Sequence, residues 1–392
     1  MAPIPRLRSY AGPAILSYGF RPFFLLGALY AGLSILAWLP MFAGELTLPT
    51  AFALRDWHVH EMLYGFAGAV VAGFLLTAVP NWTGRLPLQG RPLLLLVAAW
   101  LAGRFAVALS AELGWLPAAI LDVSFLALLT AALGREVIAG RNWRNLKILG
   151  VLTVMLLGNA VFHIEAHLSG TAEYGVRVGI AATLTMVMLI GGRIIPSFTR
   201  NWLAALGPGR MPVPYGRFDA LSMMIAVSAL LAWVVAPADP ATGAGLLIAG
   251  LSQAARLARW AGYRTWQNPL VFILHVAYAF VPLGFVLVGL SALSDISAAA
   301  GIHAWTAGAV GVMTLAVMSR ASLGHTGRPL RAPVSVQAVF ILATASVLAR
   351  VCAAFHPVWT APLLATATVL WAAAFLGFSA IYWRVLTGPR LT

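Results

Sequence analysis

The sequence predicts an all-α polytopic membrane protein with about twelve transmembrane helices, and three observations predict it. Of its 392 residues, 61% are hydrophobic and only 9% charged, and the mean hydropathy is +0.89, too apolar for a chain surrounded by water. Apolar runs of about 20 residues, the length that spans a ~30 Å hydrocarbon core, recur throughout. The connections between them are short and rich in Gly, Pro and Arg, and the basic residues favour every second connection, the bias that fixes membrane orientation.

Taken in order, the runs fall at 20–41, 57–80, 92–110, 115–139, 146–168, 175–199, 218–236, 243–264, 269–293, 302–321, 334–354 and 359–386. With the N-terminus inside, all of the 25 basic residues except Arg55, Arg104, Arg177 and Arg350 collect on the cytoplasmic side. A helix more or fewer would invert every later loop, so this bias supports the count and puts both termini in the cytoplasm. Residues 1–19 carry no cleavable signal pattern, and the first apolar helix is expected to stay as an anchor. The formal charge of +14 is spread over short loops, which makes it a topology signal rather than a nucleic-acid-binding face. The lipid bilayer is the expected partner. A single cysteine, Cys352, excludes an intramolecular disulfide and a cysteine-built iron–sulfur cluster.

An internal repeat is visible. "HEMLYGFAGAVVAGFLLTAVPNWTGR" (60–85) aligns without a gap on "HAWTAGAVGVMTLAVMSRASLGHTGR" (303–328), pairing His60 with His303, Gly65 with Gly308, Gly68 with Gly311, and the two Thr-Gly-Arg ends. "TLTMVMLIGGRIIPSFTRN" (183–201) shares less, through Met186, Arg193 and Thr199. "PLVFILHVAYA" (269–279) echoes "PFFLLGALYA" (22–31) with one extra residue. A spacing of four helices suggests four-helix units at 1–140, 141–265 and 266–392 within a single transmembrane domain, unlike the six-plus-six plan of many transporters.

Of the eight histidines, His58, His60, His163, His167 and His303 are expected at one outer depth. His275 lies about 9 Å into the ninth run from the inner side, and His325 and His356 are expected in loops. Polar groups in membrane spans are costly and face a bundle interior or cavity. His58 and His60 point about 200° apart on a helix and so are expected to serve different neighbours, His58 beside Glu61 at i, i+3 and His60 beside Tyr64 at i, i+4. His163 and His167, at i, i+4, are placed to meet one metal ion. The alternative for any one interfacial histidine is a hydrogen-bonded packing residue. Met186, Met188, Met313 and Met318 are read as packing residues. Arg104 and Asp122, both inside apolar runs, are expected to pair with each other or with a charged group of a cofactor.

The chain resembles the NnrS family of membrane proteins. "GFRPFFLLGALYA" (19–31), "WHVHEMLYGFAGAVVAGFLLTAVPNWTGR" (57–85), "GNAVFHIEA" (158–166), "GGRIIPSFTRN" (191–201) and the 303–328 segment carry the resemblance, which runs nearly end to end. It implies a bacterial inner-membrane protein containing haem and copper and linked to nitric oxide and nitrosative stress. His58, His60, His163, His275, His303 and His325 are then the motif histidines, with His167 matching less surely. Neutral imidazole suits both metals. A weaker, fold-level similarity is to haem–copper oxidases and nitric oxide reductases. The expected function is a membrane protein that binds nitric oxide at haem (b-type) and copper, with reduction by an unidentified electron donor as its enzymatic form. His60 and His303 are expected on haem with His275 as the next candidate, His58 and His163 on copper, and Glu61 and Tyr64 on the proton path. The rival class is a transporter for a metal ion or small anion, and a structural role comes third.

Overall fold

A computed structural model describes residues 10–391. Arg6 and Arg8, counted among the inner basic residues, and most of the 1–19 segment read for a signal pattern lie outside the described residues. Twelve long helices follow in chain order, α1 Phe20–Phe42, α2 Leu54–Thr83, α3 Arg91–Ala108, α4 Trp115–Ala139, α5 Leu146–Ser169, α6 Tyr174–Leu206, α7 Arg217–Val235, α8 Pro240–Ala258, α9 Pro269–Ser291, α10 Ala298–His325, α11 Val334–Ala353 and α12 Thr360–Thr387. No strand occurs among the described residues, and the all-α polytopic class holds. Eleven of the twelve helices are long and apolar enough to cross a membrane. The exception is α8, whose 19 residues include Thr242, Ser252, Gln253 and Arg256. It also stops short of the expected residue 264, because Ala261 adopts φ 54°, which no α-helix continues through.

The chain forms two compact units. One comprises Met1–Gly179, Ala321–Arg328 and Ser379–Thr392; the other comprises Ile180–Arg320 and Pro329–Phe378. In the first unit α1 packs on α2, α2 on α4, α3 on α4 and α4 on α5. In the second, α7 packs on α8, α8 on α9, and α9 on the first half of α10.

The two aligned segments share their local backbone. In α2 an α-helical stretch ends at His60 and residues Glu61–Phe66 are π-helical. In α10 the α-helical stretch ends at His303 and Ala304–Val312 are π-helical. Both then resume α-helix and reach a glycine with positive φ, Gly84 at 70° and Gly327 at 74°. A glycine at this position ends a helix in the left-handed region without a Cβ penalty, which explains the shared Thr-Gly-Arg in backbone terms. Single-turn π segments inside α-helices concentrate at functional sites, and here each follows directly on a histidine.

Candidate metal centre

The first unit carries a buried polar cluster drawn from five helices. His60 and Glu61 lie at the junction of the α and π stretches of α2, Arg104 on α3, Asp122 on α4, Asn159 and His163 one turn apart on α5, and Tyr30 on α1. The start of α2 is fixed against the α5–α6 connection. Arg55 donates to Glu173 (2.9 Å) and to the Ala172 carbonyl (2.8 Å), and Asp56 accepts from the Ala172 amide (2.8 Å). That clamp sets the beginning of α2 level with the end of α5, so His60 and His163 share one depth.

His60 and Glu61 are 0% exposed, Asp122 and Asn159 1% and His163 3%, so no bulk water solvates these groups. Asp122 Oδ2 is the focus: His163 Nε2 lies 3.0 Å from it, His60 Nε2 3.1 Å, and the Asn159 amide donates to it at 2.7 Å. Asp122 Oδ1 accepts from Arg104 Nη2, while Arg104 Nη1 donates to Glu61 Oε2 at 2.6 Å. Glu61 Oε2 also accepts from the Tyr30 hydroxyl, and Oε1 faces His60 Nδ1 at 2.9 Å. Rings of Phe52 and Phe162 pack against His60 at centroid distances of 5.2 and 5.1 Å, closing the cluster with apolar surface.

Two glycines make this geometry possible. A Cβ on Gly65 would stand 2.5 Å from Arg104 Nη1, and one on Gly103 would stand 2.9 Å from Asp122 Oδ1 and 3.0 Å from its Cα. The guanidinium and the carboxylate therefore lie directly against helix backbone.

The charges are unbalanced by one. Glu61 and Asp122 supply two negative charges and Arg104 one positive, so burial favours one further cation. His60 shows where it belongs. With its Nδ1 proton held by Glu61, a neutral ring turns the Nε2 lone pair toward Asp122 Oδ2 and Asn159 Oδ1, the latter at 3.0 Å, two acceptors. Either a second proton on His60 or a metal ion resolves that conflict. His60, Asp122 and His163 each offer one ligand atom, all within 4.8 Å of one another. Ligand atoms ~2.0–2.1 Å from an ion lie ~3 Å apart, close to the 3.1 and 3.0 Å that separate His60 Nε2 and His163 Nε2 from Asp122 Oδ2. Two imidazoles and a carboxylate form a donor set suited to copper, zinc or iron, and a carboxylate on the second nitrogen of a ligating histidine is the usual support for such a site.

Arg104 and Asp122 pair as the sequence suggested. Other expected partners differ. His60, rather than His58, joins His163; His58 packs on Trp38 with ring centroids 4.7 Å apart. The two residues do diverge on the helix, but spacing alone does not say which face meets α5. Glu61 accordingly serves His60 and Arg104 rather than His58. His167 stacks on Trp115 at 4.2 Å, away from His163's partner. Tyr64 touches the His60 ring at 5.4 Å, yet its hydroxyl donates to the Gly175 carbonyl at 2.6 Å.

In the second unit His275 Nδ1 meets the Val271 carbonyl at 3.1 Å and Nε2 the Thr199 hydroxyl at 3.3 Å. His303 Nδ1 meets the Ala299 carbonyl at 2.8 Å. His325, expected in a loop, closes α10 instead, since the helix runs on until Gly327. Sequence reasoning missed Tyr30 and Asn159. Asn159 had a signal, one turn before His163 on the same helix face.

A sequence profile described as NnrS protein matches residues 14–390. No curated protein sequence matches the chain significantly. The match takes in every helix, both π-helical histidine segments and all the residues of the buried cluster, and the chain belongs to the NnrS family.

Proposed function

We propose that this NnrS-family membrane protein contains copper and haem and binds nitric oxide as part of a response to nitrosative stress, with His60, Asp122 and His163 holding the copper. Support comes chiefly from the convergence of His60 Nε2 and His163 Nε2 on one oxygen of Asp122, inside a cluster short of one positive charge. Copper bound there would supply a one-electron couple and a coordination position for a small gas. Nitric oxide is uncharged and lipid-soluble, so it reaches such a position through the bilayer without an aqueous channel.

The surrounding residues have definite tasks in this reading. Glu61 holds the proton of His60 on Nδ1 and so keeps Nε2 aimed at the ion. Arg104 bridges the carboxylates of Glu61 and Asp122 and offsets one of their two negative charges. Phe52 and Phe162 exclude water. Tyr30 donates to the Glu61 carboxylate that faces His60 Nδ1, so its hydroxyl helps hold the group that orients the imidazole.

Both ring nitrogens of His60 are committed to this cluster, and it presents no open imidazole face to a porphyrin. We therefore assign the haem implied by the family to histidines outside the cluster, first His303. Its Nδ1 meets the Ala299 carbonyl, the contact that orients a ligating imidazole, and His303 precedes a π-helical stretch as His60 does.

Metal analysis and optical and electron paramagnetic resonance spectra of purified protein, before and after nitric oxide, test this. Copper that is lost in His163→Ala and Asp122→Asn, with a spectrum changed by the gas, is the expected result. Copper-loaded protein that retains full occupancy in both variants would remove the assignment. Protein that takes up neither copper nor haem would remove the function, and nitrous oxide in the headspace would extend binding to reduction.

A further inference from the structure

The first unit holds a second polar cluster, sharing no residue with the metal centre, where the start of α1 meets the ends of α10 and α12. Arg21 is 3% exposed, and its Nη1 donates to the carbonyls of Leu386 (2.9 Å) and Gly388 (2.7 Å). The Leu391 amide donates to the Thr326 carbonyl at 2.9 Å, laying the C-terminal segment over the Thr-Gly-Arg turn. His325 packs between Tyr18 and Phe20 at centroid distances of 5.8 and 5.6 Å. Arg328 lies within electrostatic reach of Arg21, and Arg390 within reach of Tyr18 and His325.

Three guanidinium groups, those of Arg21, Arg328 and Arg390, thus gather with no acidic side chain paired to them among the described residues. The carbonyl end of α12 offsets Arg21, as a helix C-terminus does for a cation, whereas no acidic side chain among the described residues pairs with Arg328 or Arg390. Arg328 Nη1 is buried without a hydrogen-bond partner, and so is Ser322 Oγ, on a residue 0% exposed. A buried donor left unpaired is costly, and a charged one more so. These unpaired donors and the positive charge beside them suit an anionic partner with several acceptor oxygens.

We propose that Arg328 and Arg390, with Ser322 and the Arg21-anchored end of α12, form a binding site for an anionic phosphate group. Phosphate offers several acceptor oxygens to converging guanidinium donors, the geometry arginine suits best. Two sources share this chemistry. A lipid headgroup fits a site at helix ends rich in basic residues, where anionic lipid phosphates concentrate, and a free phosphate fits equally in charge.

Full-length protein in phosphatidylcholine nanodiscs is melted in two arms at constant ionic strength, one with rising inorganic phosphate and one with rising phosphatidylglycerol. Stabilisation in the phosphate arm identifies a free anion, and stabilisation in the lipid arm alone a headgroup; either supports the site. Arg328→Gln should need about tenfold more ligand for the same shift, the loss of a charge-assisted hydrogen bond. Arg390→Gln, at an exposed position, gives the same reading if Arg328→Gln does not fold. No shift in either arm would overturn the site, as would an unchanged response in the folded variants. An equal loss in Arg331→Gln would also overturn it, by reducing the effect to general surface charge.

Discussion

The side chains of His60 and Glu61, neighbours in sequence, are joined Nδ1 to Oε1 at 2.9 Å. Adjacent residues of an α-helix diverge by about 100°, and such pairs do not normally meet. Here the α stretch ends at His60 and the π stretch begins at Glu61. The change of winding lets one carboxylate support the imidazole beside it and still reach Arg104 on α3. The π turn is therefore part of how the centre is assembled.

Glu61→Gln tests that support. The amide can still accept from His60 Nδ1, but it removes a negative charge beside Arg104 and weakens the basicity of the imidazole. Copper affinity is expected to fall about 10- to 100-fold, the usual effect of losing a partner behind a ligating histidine, while the helical content is retained. Competition titration with a copper chelator measures it. An affinity equal to wild type would exclude Glu61 as a positioning residue.

Arg104→Met leaves Glu61 and Asp122 buried without their shared cation. Breaking a buried pair from one side costs about 3–5 kcal/mol, so a large loss of thermal stability is expected. The double variant Arg104→Met/Asp122→Asn removes one of the stranded charges and should be more stable than Arg104→Met alone. Melting curves in detergent decide. A double variant that loses the sum of the two single effects would mean that these groups do not act as a unit.

How much of this was legible in sequence differs by level. Helices α1 to α12 followed from hydropathy and charge bias, because burying a backbone in lipid leaves little choice but a helix. The Arg104–Asp122 pair was legible for the same reason: two opposite charges inside apolar runs have few alternatives to each other. His58 and His60 show where this kind of inference ends. Angular spacing correctly separates them, but only packing of α2 against α1 and α4 decides that His58 meets Trp38 and His60 meets Asp122. Tyr30 was hidden because an aromatic residue in an apolar helix has the same pattern whether its hydroxyl meets a carboxylate or the membrane interface. The π stretches were hidden too, since they alter phase without altering composition.

Close backbone approach gives a prediction free of charge changes. Gly103→Ala places a methyl group 2.9 Å from Asp122 Oδ1, forcing α3 and α4 apart at the centre. Overpacking of this kind costs about 1–3 kcal/mol, and copper occupancy should fall with stability. Gly150→Ala on α5, with nothing within 4 Å of the added Cβ, should be neutral or slightly stabilising. Equal behaviour of the two variants in a thermal shift assay would show that the approach at Gly103 is not a constraint.

Orientation in the bilayer is checked by reporter fusions. From the distribution of basic residues, fusions near residues 140, 210 and 390 should read cytoplasmic and those near 47, 171, 239 and 296 external. The Arg55–Glu173 contact ties the start of α2 to the α5–α6 connection at 2.9 Å, so fusions near 47 and 171 must agree with each other. A split reading between those two would contradict the contact as well as the topology.

The histidines provide the sharpest contrast, and it reverses the expectation from spacing. His60→Ala and His163→Ala each remove a nitrogen from the copper centre, so both should lose most bound copper and its paramagnetic signal. His58→Ala removes a ring that packs on Trp38 and lies outside the His60, Asp122 and His163 group, and should keep copper near the wild-type level. His303→Ala should change or abolish the haem spectrum and leave copper in place, since His303 is absent from the cluster that holds it. Copper content and the optical spectrum, read on the same four preparations, separate the two metals. If His58→Ala loses copper and His60→Ala keeps it, the assignment to His60, Asp122 and His163 fails. The pairing of His58 with His163 then returns as the better account.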